Sequence, residues 1–145
     1  MNKVLMSLMV AATLMFAGQA AMAAPQTFDS SKGKFSVDVP ADWTAKAIAD
    51  GCQLTSKDEK NSMAIQIVNA GDLTNADFAE RIAKAINMNV TEKRDNGSMV
   101  VWDGTANGDK ILLMVRVKDK KALSIIMGGE MRGTMGKIFD SMKME

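Results

Sequence analysis

Residues 99–127 read MVVWDGTANGDKILLMVRVKDKKALSIIM, and this run decides the fold. Three β-rich segments follow one another in it: Met99–Trp102, Ile111–Val117 and Ala122–Met127. Two short polar breaks separate them, Ala106-Asn107-Gly108-Asp109 and Asp119-Lys120-Lys121. Breaks of this length and composition between apolar runs are hairpin signals. The middle segment is apolar on both alternating sets, Ile111/Leu113/Val115/Val117 and Leu112/Met114. A strand apolar on both faces is covered on both. The segment is therefore expected at the centre of a sheet, with material packed above and below it.

Working upstream, Val90–Arg94 reads as a further strand, closed by the Asp95-Asn96-Gly97-Ser98 turn. Before it lies the clearest helix, over about Asn75 to Met88. Thr74 is placed to cap it, Asp77 stands at the third helical position, and Leu73 with Phe78 fits a hydrophobic staple. Phe78, Ile82 and Ile86, with Ala79 and Ala83, form one apolar stripe. Earlier still, Met63–Val68, Cys52–Thr55 and Trp43–Ala47 read as extended pieces, and Ser56–Asn61 as a polar turn. Lys34–Val39 alternates, with Phe35, Val37 and Val39 on one side, and Pro40 stops it. Trp43 reads as a large core residue closing one end of the sheet. Residues 24–33 read as a flexible lead-in.

Downstream of Met127, Gly128-Gly129 breaks the pattern and a second helix is expected from about Glu130 to Lys143. Met131, Met135, Ile138, Phe139 and Met142 fall on its one apolar face, while Gly133 and Gly136 weaken it, so that docking must supply its stability. One helix for each side of a doubly apolar sheet predicts an α+β fold. The expected form is a three-layer α/β/α sandwich around a mostly antiparallel sheet of about six or seven strands.

The first 23 residues have another layout. Lys3 supplies a positive start, Val4–Ala17 is almost wholly apolar, and Ala21-Met22-Ala23 offers small residues ahead of Ala24-Pro25. That is the pattern of a secretory signal peptide cleaved near Ala23-Ala24. It predicts a periplasmic or secreted protein made of residues 24–145, with a single domain over 34–145. The formal charge of the whole chain is +1, and without Lys3 acids and bases balance. The basic excess of a nucleic-acid binder is missing. The single cysteine, Cys52, cannot form an intramolecular disulfide and lies too far along the chain to carry a lipid at its start. It reads as a small buried apolar residue.

With no histidine, no tyrosine and one cysteine, the chain cannot assemble a Ser-His-Asp or Cys-His centre or the usual zinc sites. Gly-rich nucleotide signatures and the calcium-loop pattern are also absent from the sequence. Catalytic and cofactor-binding residues are therefore expected to be none. A carboxylate pair could run a hydrolase, but Asp58-Glu59 sits in a polar turn, and Asp103 and Asp109 flank a hairpin as turn formers. Methionine is the one enrichment, with 14 in the chain and a crowd at its end. Thioethers suit Cu(I), which makes Met131, Met135 and Met142 candidate soft-metal ligands. Their spacing equally fits core packing.

The segment Phe35-Ser-Val-Asp-Val-Pro-Ala-Asp-Trp43 resembles the opening of the PsbP-like and DcrB-like group of small exported domains. The later order resembles it too: strands, a helix like Asp77–Ile86, a run of hairpins, and a closing helix like Lys137–Met142. The resemblance spans about Phe35 to Met142. It implies an α/β/α sandwich and a non-enzymatic accessory or binding role, because members include photosystem II extrinsic proteins and a bacterial envelope protein. No site residue carries over. The expected function is a periplasmic accessory protein that binds another envelope protein. A carrier of a small apolar ligand, with a pocket between sheet and helix, is the alternative.

Overall fold

The computed structural model describes residues 23–130 and 132–145. Its strands are β1 (Ala23–Ser30), β2 (Gly33–Pro40), β3 (Thr44–Ile48), β4 (Gly51–Thr55) and β5 (Ser62–Asn69). Helix α1 (Asn75–Ala85) follows, then β6 (Asn89–Asp95), β7 (Val100–Ala106), β8 (Asp109–Lys118) and β9 (Lys121–Gly128). Helix α2 (Arg132–Asp140) and a two-residue β10 (Lys143–Met144) complete the order. Seven strands form one antiparallel sheet in the order β3-β4-β5-β9-β8-β7-β6, and β1-β2-β10 form a smaller sheet.

The hairpins sit where the turn residues put them. Asn107 and Gly108 take φ of 53° and 85°, and Asp119 and Lys120 take 52° and 65°. Left-handed geometry at both central positions matches the twist of the flanking strands. The α1 start is likewise local chemistry. Thr74 Oγ1 accepts the Asp77 amide at 3.1 Å, and the Asp77 carboxylate accepts the Thr74 amide at 3.4 Å. The helix stops at Ala85, short of the expected Met88. Asn87 turns left-handed at φ 54°, its amide donates to Lys84 carbonyl, and the Met88 amide donates back to Ala83 carbonyl. That is a Schellman closure with asparagine in glycine's usual place.

Register divides the large sheet into two apolar faces. On one, Leu123, Ile125 and Met127 of β9 stand beside Met63, Ile65 and Ile67 of β5, and Cys52 and Leu54 of β4 continue the row. Phe28, Phe35, Val37 and Val39 of the small sheet pack on it, with Trp43, Met135 and Ile138. On the other face, Leu113 and Val115 of β8 and Val100 and Trp102 of β7 meet Ala79 and Ala83 of α1. Phe78 and Ile82 flank that contact. Lys93 of the edge strand β6 lies over the Trp102 ring at 4.3 Å, so its stem and charge finish the apolar surface.

The α+β class and the mostly antiparallel sheet are as the pattern predicts. Three features differ. The central strand is β9, not β8, because β5 returns across the molecule to pair with it. Residues 24–33 are not a lead-in: most of them form β1, which pairs with β2 along its length from Ala23–Pro40 to Ser30–Gly33. And the layer opposite α1 is the small sheet together with α2, not a helix alone. Helix α2 is shorter than expected because Ser141 ends it. The Ser141 hydroxyl donates to Ile138 carbonyl at 2.6 Å and accepts the Asp38 amide at 2.8 Å. The chain is thereby turned onto β2, where Lys143–Met144 pairs as β10.

Candidate functional site

Each covering layer reaches only part of the large sheet, and open ground remains where the layers end. At the β8–β9 turn the small sheet stops short. This leaves a depression of about 60 Å³ lined by Lys32, Ile67, Arg116, Lys118, Lys121, Leu123, Met142 and Met144. Ile67 and Leu123 are its buried floor, and Met144, at 42 % exposure, is its outer apolar wall. A second, wider hollow of about 610 Å³ opens at the α1 N-terminus, between Leu73-Thr74-Asn75, Gly97-Ser98 and the end of β8. It exists because β7 begins at Val100 and leaves the last residues of β8 without a partner strand on that side. Asn75 fills the gap: its Oδ1 accepts the Val117 amide at 2.7 Å, and its Nδ2 donates to Ser98 carbonyl at 3.2 Å. Arg116 and Lys118 line both hollows.

No carboxylate lines either hollow. Asp103, expected as a turn former, instead lies within β7 and is held between two guanidinium groups, Arg94 at 2.6 Å and Arg132 at 3.3 Å. That arrangement ties the start of α2 to the sheet. Asp58 does sit in its polar turn. It accepts the Ser56 hydroxyl at 2.6 Å and the Lys60 amide at 3.0 Å, and these bonds hold its carboxyl below the ordinary 3.8. Among the described residues, no three of His, Cys, Asp and Glu come together to hold a metal ion.

Two of the three methionine candidates fall among the described residues. Met135 is fully buried in the core beside Ile138, and Met142 is half-buried against the same cluster and lines the small depression. Met131 lies outside the described residues. Cys52 is fully buried, and burial pushes its thiol up to about 12, so it stays protonated and unreactive. What the sequence reading missed is the depression itself. Its cations come from positions 32, 116, 118 and 121, and only the strand order brings them together.

No protein-family profile matches the chain, and no curated protein does. Among solved structures, the chain is similar to the solution structure of cyanobacterial PsbP (CyanoP) from Synechocystis sp. PCC 6803. The TM-score is 0.57 at 12 % identity, over 86 % of this chain and 94 % of that one. The chain has a PsbP-like fold. At that identity the likeness is one of fold, and the residues of this PsbP-like sheet must supply any argument about binding.

Proposed function

We propose that the chain is a non-enzymatic accessory protein of the cell envelope that acts by binding another protein. The observation that carries this reading is the PsbP-like fold, with 94 % of the cyanobacterial PsbP chain covered. The residue inventory supports it: with no histidine and a sealed Cys52, the chain lacks the members of Ser-His-Asp and Cys-His centres. The leader-like residues 1–23, ending in Ala21-Met22-Ala23, support export to the periplasm before the protein acts.

The carrier reading draws less support. A small-molecule site of ordinary size encloses roughly 300–1,000 Å³ and buries most of its ligand. The depression by the β8–β9 turn holds about 60 Å³. The wider hollow is an open surface feature, its walls mixed: Leu73 and Val117 stand among Thr74, Asn75, Ser98 and the cations Arg116 and Lys118.

The test is quantitative capture from envelope extract with the purified protein as bait, followed by reciprocal capture with the enriched protein. A single protein recovered in both directions in constant ratio is the expected result. A bait that runs as a clean monomer and enriches nothing reproducibly overturns the proposal.

A further inference from the structure

We propose that the depression rimmed by Lys32, Arg116, Lys118 and Lys121 is a docking surface for an acidic segment of a protein partner, with one apolar side chain of that segment entering the floor. The inference rests on the protein-binding reading above and names the chemistry of the partner.

Charge is the first argument. The chain as a whole is nearly neutral, yet every charged residue lining this depression is a cation. Five cations elsewhere have a carboxylate partner: Lys34 with Asp29, Lys84 with Glu80, Lys110 with Glu130, and Arg94 and Arg132 with Asp103. None of Lys32, Arg116, Lys118 and Lys121 takes part in an ion pair among the described residues. The Lys121 ammonium donates instead to the neutral Asn69 side chain.

Register is the second argument. Lys118 and Lys121 are directly opposite one another across the β8–β9 hairpin. Like charges in that position repel and weaken a hairpin. Lys120, between them in the turn beside Asp119, takes the left-handed geometry, at φ 65°, that glycine or asparagine would adopt with less strain. Two local choices thus work against the stability of one turn. Such departures mark places where a surface serves something other than the fold. A complementary anionic segment would relieve the repulsion on binding.

The shape decides between partners. The apolar floor, Ile67 and Leu123, lies in a concavity, where a lipid surface cannot follow and a protruding side chain can. A volume of about 60 Å³ suits the tip of one aliphatic side chain. Met142 and Met144 supply flexible walls that adapt to such a tip. The cations then stand around it, placed to meet carboxylates on either side in sequence.

The experiment uses the purified protein with isotope-labelled backbone amides and the synthetic peptide Glu-Glu-Leu-Glu-Glu. Comparison probes are the same peptide with every Glu replaced by Gln, the same peptide with Leu replaced by Gly, and phosphatidylglycerol vesicles. The acidic peptide should perturb amides over 116–123 and at Met144, and each comparison peptide should do so less. Arg116→Glu with Lys118→Glu should weaken the interaction at least about tenfold, because both partners then carry the same sign. Lys46→Glu, on the exposed β3 edge away from the depression, should leave it within about twofold. Perturbations scattered over the surface, an equal loss with Lys46→Glu, or vesicle binding in place of peptide binding overturns the proposal. The capture experiment separates the two levels. A partner captured equally by the native protein and by the double variant removes the docking surface and leaves the accessory reading standing. Failure of the native protein to capture any partner removes the accessory reading itself.

Discussion

Asn75 Oδ1 accepts the Val117 amide at 2.7 Å, so the first residue of α1 completes a ladder that β7 leaves unfinished. One side chain starts a helix, docks it on the sheet and occupies a strand's open edge. Asn75→Ala removes the acceptor from a partly buried amide and is expected to cost about 1–3 kcal/mol. Asn75→Asp keeps the acceptor and should restore most of the loss. Urea unfolding of the three proteins checks this, and equal losses for both variants would show that the bond to Val117 contributes nothing.

A thiol can serve as a clock for opening of the molecule. Cys52 is fully buried and its pKa is raised to about 12 by burial. A thiol reagent at pH 8 should therefore label the folded protein only through unfolding, and label it at once in denaturant. The labelling rate should rise with urea in step with the unfolding equilibrium. Fast labelling in buffer would show that the face between β4 and the small sheet opens locally.

Asp58 sets a pH dependence whose sign is fixed by its two bonds. Acceptance from the Ser56 hydroxyl and the Lys60 amide lowers its pKa below 3.8 in the folded protein. A depressed acid contributes stability that is complete above the unfolded value and is lost as pH falls through the folded one. Asp58→Ala should accordingly lower the melting temperature at neutral pH and make the decline below about pH 4 shallower. Melting curves over that range check it. Parallel declines for the native protein and the variant would contradict it.

Gly104 lies in β7 at the register shift between Val90 and Glu92 of β6, and a β-carbon there would run into Asn89 carbonyl. The close approach, not backbone freedom, excludes a side chain. Gly104→Ala should cost about 1–3 kcal/mol by displacing the edge strand. The displacement should appear as faster amide exchange confined to β6, and unchanged exchange there would refute the close approach.

Some of this architecture is visible in the letters. Thr74 with Asp77, Asn107-Gly108 and Asp119-Lys120 each act through neighbours a few residues away, so their outcome can be read from a short window. The alternation of Phe35, Val37 and Val39 likewise declares its buried side. What stayed hidden depends on distant partners. β1, with Pro25, Gln26 and Asp29, has little β preference of its own and is ordered by pairing with β2. β10 is two residues long and exists only because Phe35 and Ser36 offer it an edge. The position of β9 at the centre follows from its pairing with β5, a contact no local pattern announces. The cationic depression inherits that opacity. Lys32 and Lys121 are far apart in sequence, and each alone looks like an ordinary solvated lysine.

β9 is the wall shared by both apolar interiors. Leu123, Ile125 and Met127 belong to one and Ile126 to the other, and the buried Ser124 alternates onto the Ile126 side, opposite Val115. Neither interior can come apart without stripping one side of that wall, so the halves should melt in a single cooperative event. The last hydrogens to exchange with solvent should be the amides of this strand.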